Sequence, residues 1–131
     1  MDAFDADVLI YAAAPTHPLG QRVRAALTLP GANNIGSVLL LPELLAKPTR
    51  DANAVELSEL AALLSRVQLL DVTDATALVA VELGARYRLR AVDAVHLATA
   101  VNAGADRFVT NNRDDFAKTI TAIEIVYPTD L

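Results

Sequence analysis

Cysteine is absent from this 131-residue sequence. Its absence excludes disulfides, catalysis by a thiolate and zinc sites built on sulfur ligands, and it makes a reducing cytoplasm the expected location. The N-terminus also lacks a basic region followed by an apolar stretch and a small-residue cleavage site, so we expect no secretory signal. No apolar run approaches the ~18 residues that a membrane-spanning helix needs. The sequence therefore predicts no association with a membrane.

Basic residues are few, since 11 lysines and arginines stand against 16 aspartates and glutamates, for a net charge of -5. This balance argues against strong non-specific binding to nucleic acid, because phosphate contacts need lysine and arginine. It excludes neither a local basic patch nor a metal ion that carries the positive charge. By contrast, 53% of the residues are hydrophobic. Much of this excess is alanine and leucine, which indicates an apolar face covered by a partner or by a second copy.

Short apolar runs alternate with helical patterns along the whole chain. We predict strands at residues 4–11, 35–37, 67–72, 107–110 and 120–127, the last at an edge of the sheet. Helices are predicted at residues 19–29, 38–47, 51–66, 75–88 and 94–103. Pro48 ends the second helix, Asp93 opens the last one, and Gly104 closes it in a left-handed cap. The alternation predicts one α/β domain over residues 1–131, a three-layer α/β/α sandwich with a central, mainly parallel sheet.

Three acidic residues stand in apolar surroundings, where an unpaired carboxylate is costly. Asp5 and Asp7 lie in the predicted first strand, and Glu43 lies among leucines. Each also has a purely structural explanation: Asp5 at an exposed strand end, Asp7 as the cap of a turn, and Glu43 pointing outward. The residues alone leave both explanations open.

The acids fall where parallel sheets bind ligands, beyond the carboxyl ends of strands at the point where the strand order reverses. Asp5, Glu43, Asp93 and the loop at residues 111–115 can all meet at that end of the sheet. Carboxylates a few ångströms apart raise each other's pKa, and a divalent cation relieves this conflict. With oxygen ligands and no cysteine, magnesium or manganese fits better than zinc.

Several stretches resemble the PIN-domain nucleases, and within them the VapC-type toxins of bacterial toxin–antitoxin pairs. The stretches are FDADVLIY at residues 4–11, Ser37 with PELL at 42–45, DAVHLATA at 93–100, GAD at 104–106, FVTNN at 108–112 and Asp115-Phe116. They stand in family order over almost the whole chain. The resemblance implies a PIN-like domain that acts as a metal-dependent endoribonuclease, the toxin of a type II pair.

The resemblance also assigns site residues. It implies that Asp5, Glu43 and Asp93 are catalytic acids that hold Mg²⁺ or Mn²⁺. Asn112 takes the place of a fourth, often acidic, ligand, and Asp115 is a supporting acid beside the metal. In this chemistry the cation polarises the phosphate of RNA and activates a water, so no protein nucleophile is needed.

The sequence departs from the family pattern at two places. Ala6 and Asp7 stand where family members commonly carry threonine or serine and then asparagine, so a hydroxyl that orders the site is missing. Asn112 puts a neutral amide where a carboxylate is common. These departures motivate an alternative, a PIN-fold module that has lost or weakened catalysis and binds RNA or a protein.

Further predictions concern contacts and partners. Arg86, Arg88, Arg90 and Arg113 are candidates for contacts to RNA phosphates, and His96 is expected to have a packing or surface role. The resemblance implies an antitoxin partner, and the apolar composition fits both that partner and a homodimer. A phosphoacceptor receiver domain is disfavoured, because it needs a lysine after a late strand and the lysines here are Lys47 and Lys118. The RNA that is cleaved and the number of ions are left open.

Overall fold

Five parallel strands form the central sheet in a computed structural model that describes residues 1–131. The strands are β1 (Asp2–Phe4), β2 (Asn34–Ser37), β3 (Gln68–Leu70), β4 (Arg107–Val109) and β5 (Glu124–Val126). Their order is β3-β2-β1-β4-β5, and every neighbouring pair is parallel. The chain moves outward from β1 to β3 and then returns to place β4 on the other side of β1. The strand order therefore reverses between β1 and β4, where such sheets bind ligands.

Helices cover both faces of the sheet. They are α1 (Ala6–Ala13), α2 (Pro18–Leu27), α3 (Leu40–Arg50), α4 (Ala54–Leu64), α5 (Asp74–Tyr87) and α6 (Ala91–Asn102), and a short 3₁₀ helix follows at Pro128–Asp130. Side chains of α1 to α4 form one buried cluster and those of α5 and α6 form a second. Alternate strand residues enter opposite clusters, as Ala3 and Phe4 do, because successive side chains of a strand point to opposite faces. The predicted three-layer architecture is confirmed.

The predicted strand at residues 4–11 is wrong. Asp5 follows β1 in an extended conformation and caps α1, so residues 6–13 form a helix. A short apolar run has the same composition in a buried strand and in a buried helix, and its periodicity does not separate the two. The correction places Asp5 at the carboxyl end of β1 and Asp7 in the first turn of α1.

Two helix boundaries also differ from the prediction. Pro48 lies inside α3, which continues to Arg50; the proline is buried, and its packing offsets the hydrogen bond that it cannot donate. Asp93 does not open the last helix, because α6 begins at Ala91 with Arg90 as its N-cap. Asp93 instead lies in the first turn, where the positive end of the helix dipole favours a negative charge.

The remaining boundaries are close to those predicted, although the strands are shorter. The last strand does lie at the sheet edge, and Gly104 follows α6 with φ 73°, a left-handed conformation that suits glycine. The helix predicted at 51–66 begins at Ala54, because the side chain of Asn53 accepts the amide of Glu56 and caps it. No helix combines the length and apolar character that crossing a membrane requires.

Candidate functional site

Asp5 is held rigidly where β1 meets α1. Its Oδ1 accepts the N–H of Ala6 at 2.8 Å, and its Oδ2 accepts the hydroxyl of Thr110 at 2.8 Å. The residue is only 5% exposed. Burial raises the pKa of Asp5, although the nearby His96 and these two hydrogen bonds act to lower it. The Asp5 carboxylate is therefore fixed in position, and its surroundings do not fully compensate its negative charge for the loss of solvent.

Thr110 supplies a hydroxyl that sequence reasoning did not assign to the site. It directly follows β4, the parallel neighbour of β1, and it is fully buried. Its Oγ1 donates to Asp5 and accepts the backbone N–H of Asn112 at 3.1 Å. Asp5 thus receives a hydroxyl hydrogen bond from the residue that follows the neighbouring strand. The sequence signal for it is weak, because only the strand order brings residue 110 beside residue 5.

Glu43 and His96 contact each other at the same end of the sheet. Glu43 lies in the first turn of α3, and its side chain is 36% exposed. His96 lies on α6, is almost fully buried and places Nε2 against Oε1 of Glu43. Burial alone would lower the pKa of His96, but the hydrogen bond to Glu43 and the charges of Asp5, Glu43 and Asp93 raise it. The predicted packing role of His96 thus omits a contact with a site acid.

Asp93 lies one turn before His96 on α6 and is partly buried. Burial raises the pKa of Asp93, and the negative charges of Asp5 and Asp115 raise it further. His96 acts in the opposite direction. The causes of this shift indicate that Asp93 on α6 lies near Asp5, at the end of β1, and near Asp115 in the loop after β4.

Asn112 and Asp115 form a small network in the loop after β4. The side-chain amide of Asn112 donates to Oδ2 of Asp115 at 2.9 Å, and its carbonyl accepts the backbone N–H of Asp115 at 3.3 Å. Both polar groups of the Asn112 side chain therefore make a hydrogen bond to Asp115. These hydrogen bonds orient Asp115, whose negative charge raises the pKa of Asp93.

Asp7 adds a further acid that was not assigned to the site. Its carboxylate accepts the backbone N–H of Asn111 at 3.1 Å and so ties α1 to the loop after β4. Burial, followed by the charge of Asp5, raises the pKa of Asp7 to about 7. Asp7 thus carries a proton well above the pH at which an ordinary aspartate loses it.

The four candidate arginines differ in their surroundings. Arg86, Arg88 and Arg90 are exposed around the turn from α5 to α6, with Arg90 directly before the helix that carries Asp93. Arg113 donates to the Thr129 hydroxyl at 3.0 Å and lies 4.5 Å from the ring centre of Tyr127. The structure therefore leaves the first three side chains open to solvent and holds the fourth against the protein.

The donor set suits a hard divalent cation. Asp5, Glu43, Asp93 and Asp115 offer carboxylate oxygens, which are the ligands that magnesium and manganese prefer. Burial raises the pKa of Asp5 and of Asp93, and the negative charge of Asp5 raises the pKa of Asp93 further, a conflict that a cation relieves. In the structure, no three His, Asp or Glu side chains are grouped closely enough to hold a metal ion.

Comparison with known proteins identifies the family. A family model of the PIN domain matches residues 3–120. The chain belongs to the PIN domain family. The resemblance predicted from the acidic motifs is therefore confirmed, and the PIN domain match spans the stretches that contain Asp5, Glu43 and Asp93. A search of the curated proteins found no match.

Solved structures share the PIN fold over almost the whole chain. A structure described as a toxin–antitoxin complex from Klebsiella pneumoniae is 24% identical, covers 100% of both chains and has a TM-score of 0.79. DNA-bound VapBC from Salmonella typhimurium is 20% identical and covers 97% of each chain, with a TM-score of 0.78. VapBC2 from Rickettsia felis, bound to a promoter DNA fragment, is 20% identical and covers 96% of this chain and 97% of the other, with a TM-score of 0.77. Because the sequences are only 20–24% identical, these structures establish that the chain shares their fold.

Proposed function

We propose that this PIN domain is a metal-dependent endoribonuclease and the toxin component of a type II toxin–antitoxin system, and that residues 1–131 form its single domain. One observation carries the proposal. Asp5 and Asp93 come from different elements and lie at the end of the sheet where the strand order reverses, and the negative charge of Asp5 raises the pKa of Asp93. Acidic groups that repel each other in this way favour the binding of a divalent cation, with which a phosphodiester can be hydrolysed. The cytoplasmic location stays a prediction.

The proposed cation ligands are Asp5, Glu43 and Asp93, with Asp115 and Asn112 beside them. When bound, Mg²⁺ or Mn²⁺ polarises the phosphate and lowers the pKa of a coordinated water. The chain's own residues prepare the site: hydrogen bonds from Ala6 and Thr110 fix Asp5. Catalytic constellations gain from such fixed orientation, because little reorganisation remains at the moment of reaction.

Substrate contacts are assigned to the exposed arginines. Arg86, Arg88 and Arg90 are free to contact RNA phosphates beside α6, and they offset the acidic charge of the chain locally. Arg113 already packs on Tyr127 and bonds Thr129, so a role in RNA binding requires it to leave these contacts. We therefore assign Arg113 the smallest part in RNA binding.

The proposed partners are a cognate antitoxin and a second copy of this chain. Structures that share the fold are described as toxin–antitoxin and VapBC complexes, which supports the antitoxin. The chain also exposes large apolar side chains on two adjacent helices, Leu78 and Val81 on α5 and Val92 on α6. Exposed apolar surface of this kind is typical of protein–protein contacts.

Cleavage of RNA with Mg²⁺ tests the nuclease proposal. Asp5→Asn and Asp93→Asn each remove one carboxylate and keep the shape of the side chain, so we expect cleavage to fall about 100-fold or more. Glu59→Gln is the matched control, because Glu59 is an exposed acid on α4. Variants at residues 5 and 93 that cleave as fast as the control would show that the assignment is wrong.

A second candidate function is an RNA- or protein-binding PIN module with weak or no catalysis. The observation that favours it is the network at Asn112, a neutral residue whose side-chain amide both donates to and accepts from Asp115. Mn²⁺ titration by calorimetry separates the two functions. Saturable binding that Asp5→Asn abolishes supports the nuclease, whereas RNA binding without metal binding supports the module.

A further inference from the structure

His96 connects the two helical layers above the end of the sheet. It lies on α6, which packs on one face, whereas Glu43 lies on α3, which packs on the other. Their contact is the only side-chain hydrogen bond between these two helices and the only one that the Glu43 carboxylate makes. The exposed Glu43 side chain is therefore held by a buried group from the opposite layer.

Packing alone does not explain a histidine at this position. Its Nδ1 is buried and has no hydrogen-bond partner, a state that costs free energy and that an apolar side chain of similar size would avoid. The ring also lies three residues after Asp93, on the same face of α6. The histidine that carries this free-energy cost contacts one candidate ligand, Glu43, and lies one turn from another, Asp93.

We infer that His96 is a positioning residue: it acts through Glu43, holding that carboxylate toward the carboxyl end of the sheet so that it can join Asp5 and Asp93 in binding a divalent cation. The inference rests on the proposed function. Residues that hydrogen-bond to a metal ligand and orient it typically raise metal affinity by about 10–100-fold. Glu43 needs such support more than Asp5, because Asp5 is buried and already has two hydrogen bonds.

Mn²⁺ binding to the metal-free full chain, measured by calorimetry at one pH, tests the inference. His96→Leu keeps the apolar volume and removes the hydrogen bond, so we expect the dissociation constant to rise about 10–100-fold. His96→Gln can place its amide nitrogen near the position of Nε2, so it should restore most of the affinity. His17→Leu is the control, because the only other histidine caps α2, away from the acids.

A double-mutant cycle shows whether His96 acts through Glu43. Adding His96→Leu to Glu43→Gln should cost no further affinity, since the carboxylate that His96 holds is already gone. Ring ¹⁵N signals of His96 in the metal-free protein give an independent measurement, because Glu43→Gln should shift them and Glu59→Gln should not. Thermal unfolding of each variant separates loss of affinity from loss of the fold.

The outcomes separate this inference from the proposed function. A parent chain that binds no Mn²⁺ would overturn both. A parent that binds Mn²⁺, with unchanged affinity in His96→Leu or with equal losses in His96→Leu and His96→Gln, would overturn only the role of His96. Loss of affinity in His96→Leu that persists in the Glu43→Gln background would also overturn it, because His96 would then act by another route.

Discussion

The hydroxyl of Thr110 donates a 2.8 Å hydrogen bond to Oδ2 of Asp5, joining two buried residues that lie 105 positions apart in the sequence. The parallel pairing of β1 and β4 brings them together. Through its contact with the amide of Asn112, the same hydroxyl also links Asp5 to the loop that carries Asp115. Thr110 thus connects the first candidate ligand with the last part of the site.

Replacing Thr110 by valine should destabilise the fold. Thr110→Val keeps the shape and leaves Oδ2 of Asp5 buried without a partner, so the free energy of unfolding should fall by about 1–3 kcal/mol. Urea unfolding at neutral pH measures the change. Thr110→Ser retains the hydroxyl and should keep most of the stability. If valine were tolerated as well as serine, the hydrogen bond would have no energetic role.

The stability of the metal-free protein should depend on Asp7. Burial and the charge of Asp5 raise the pKa of Asp7 to about 7, so between roughly pH 4 and pH 7 the folded chain holds a proton that the unfolded chain releases. Stability should therefore fall as the pH rises through that window. Asp7→Asn removes the titration and can still accept the N–H of Asn111.

Asp7→Asn should accordingly raise the free energy of unfolding at pH 8 by about 1–2 kcal/mol, a value reduced for partial exposure. The gain should disappear near pH 4. Denaturant unfolding at both pH values, with EDTA present, measures it. Glu59→Gln should behave as the parent does. A gain of equal size at both pH values would exclude the titration of Asp7 as its cause.

Two glycines on helices should respond to alanine with opposite signs. A Cβ at Gly20 would lie 1.9 Å from the carbonyl oxygen of Tyr11, so α2 would have to move away from α1. Gly20→Ala should cost about 1–3 kcal/mol. At Gly84 the nearest atom would be 3.5 Å away, an ordinary contact, and Gly84→Ala should stabilise α5 by about 0.5–1 kcal/mol. Thermal unfolding would contradict this account if both changes had the same sign.

The layered fold was predictable because its signals are local. Gly104 after an apolar helix and the short apolar run at residues 120–127, which contains β5, each identify an element from a few neighbouring residues. Residues 6–13 were not predictable in the same way. Their apolar composition suits a buried strand as well as a helix, and the cap at Asp5 decides between them.

The site was predictable only in part. Its acids stand out in the sequence, because Asp5 and Glu43 occur in apolar surroundings and Asp93 belongs to a stretch that resembles a family motif. The groups that hold them do not stand out. The contacts of Thr110 with Asp5 and of His96 with Glu43 depend on how strands and layers are arranged in space, which local patterns do not encode.

A crystal structure of the chain grown with Mn²⁺, recorded at the manganese absorption edge, tests the central claim most directly. The account predicts an anomalous peak between Asp5, Glu43 and Asp93, with carboxylate oxygens at about 2.0–2.2 Å from the ion. Asp93→Asn crystals should lose or weaken that peak. A chain that cleaves RNA with Mn²⁺ but shows no ion among these three residues would contradict the account.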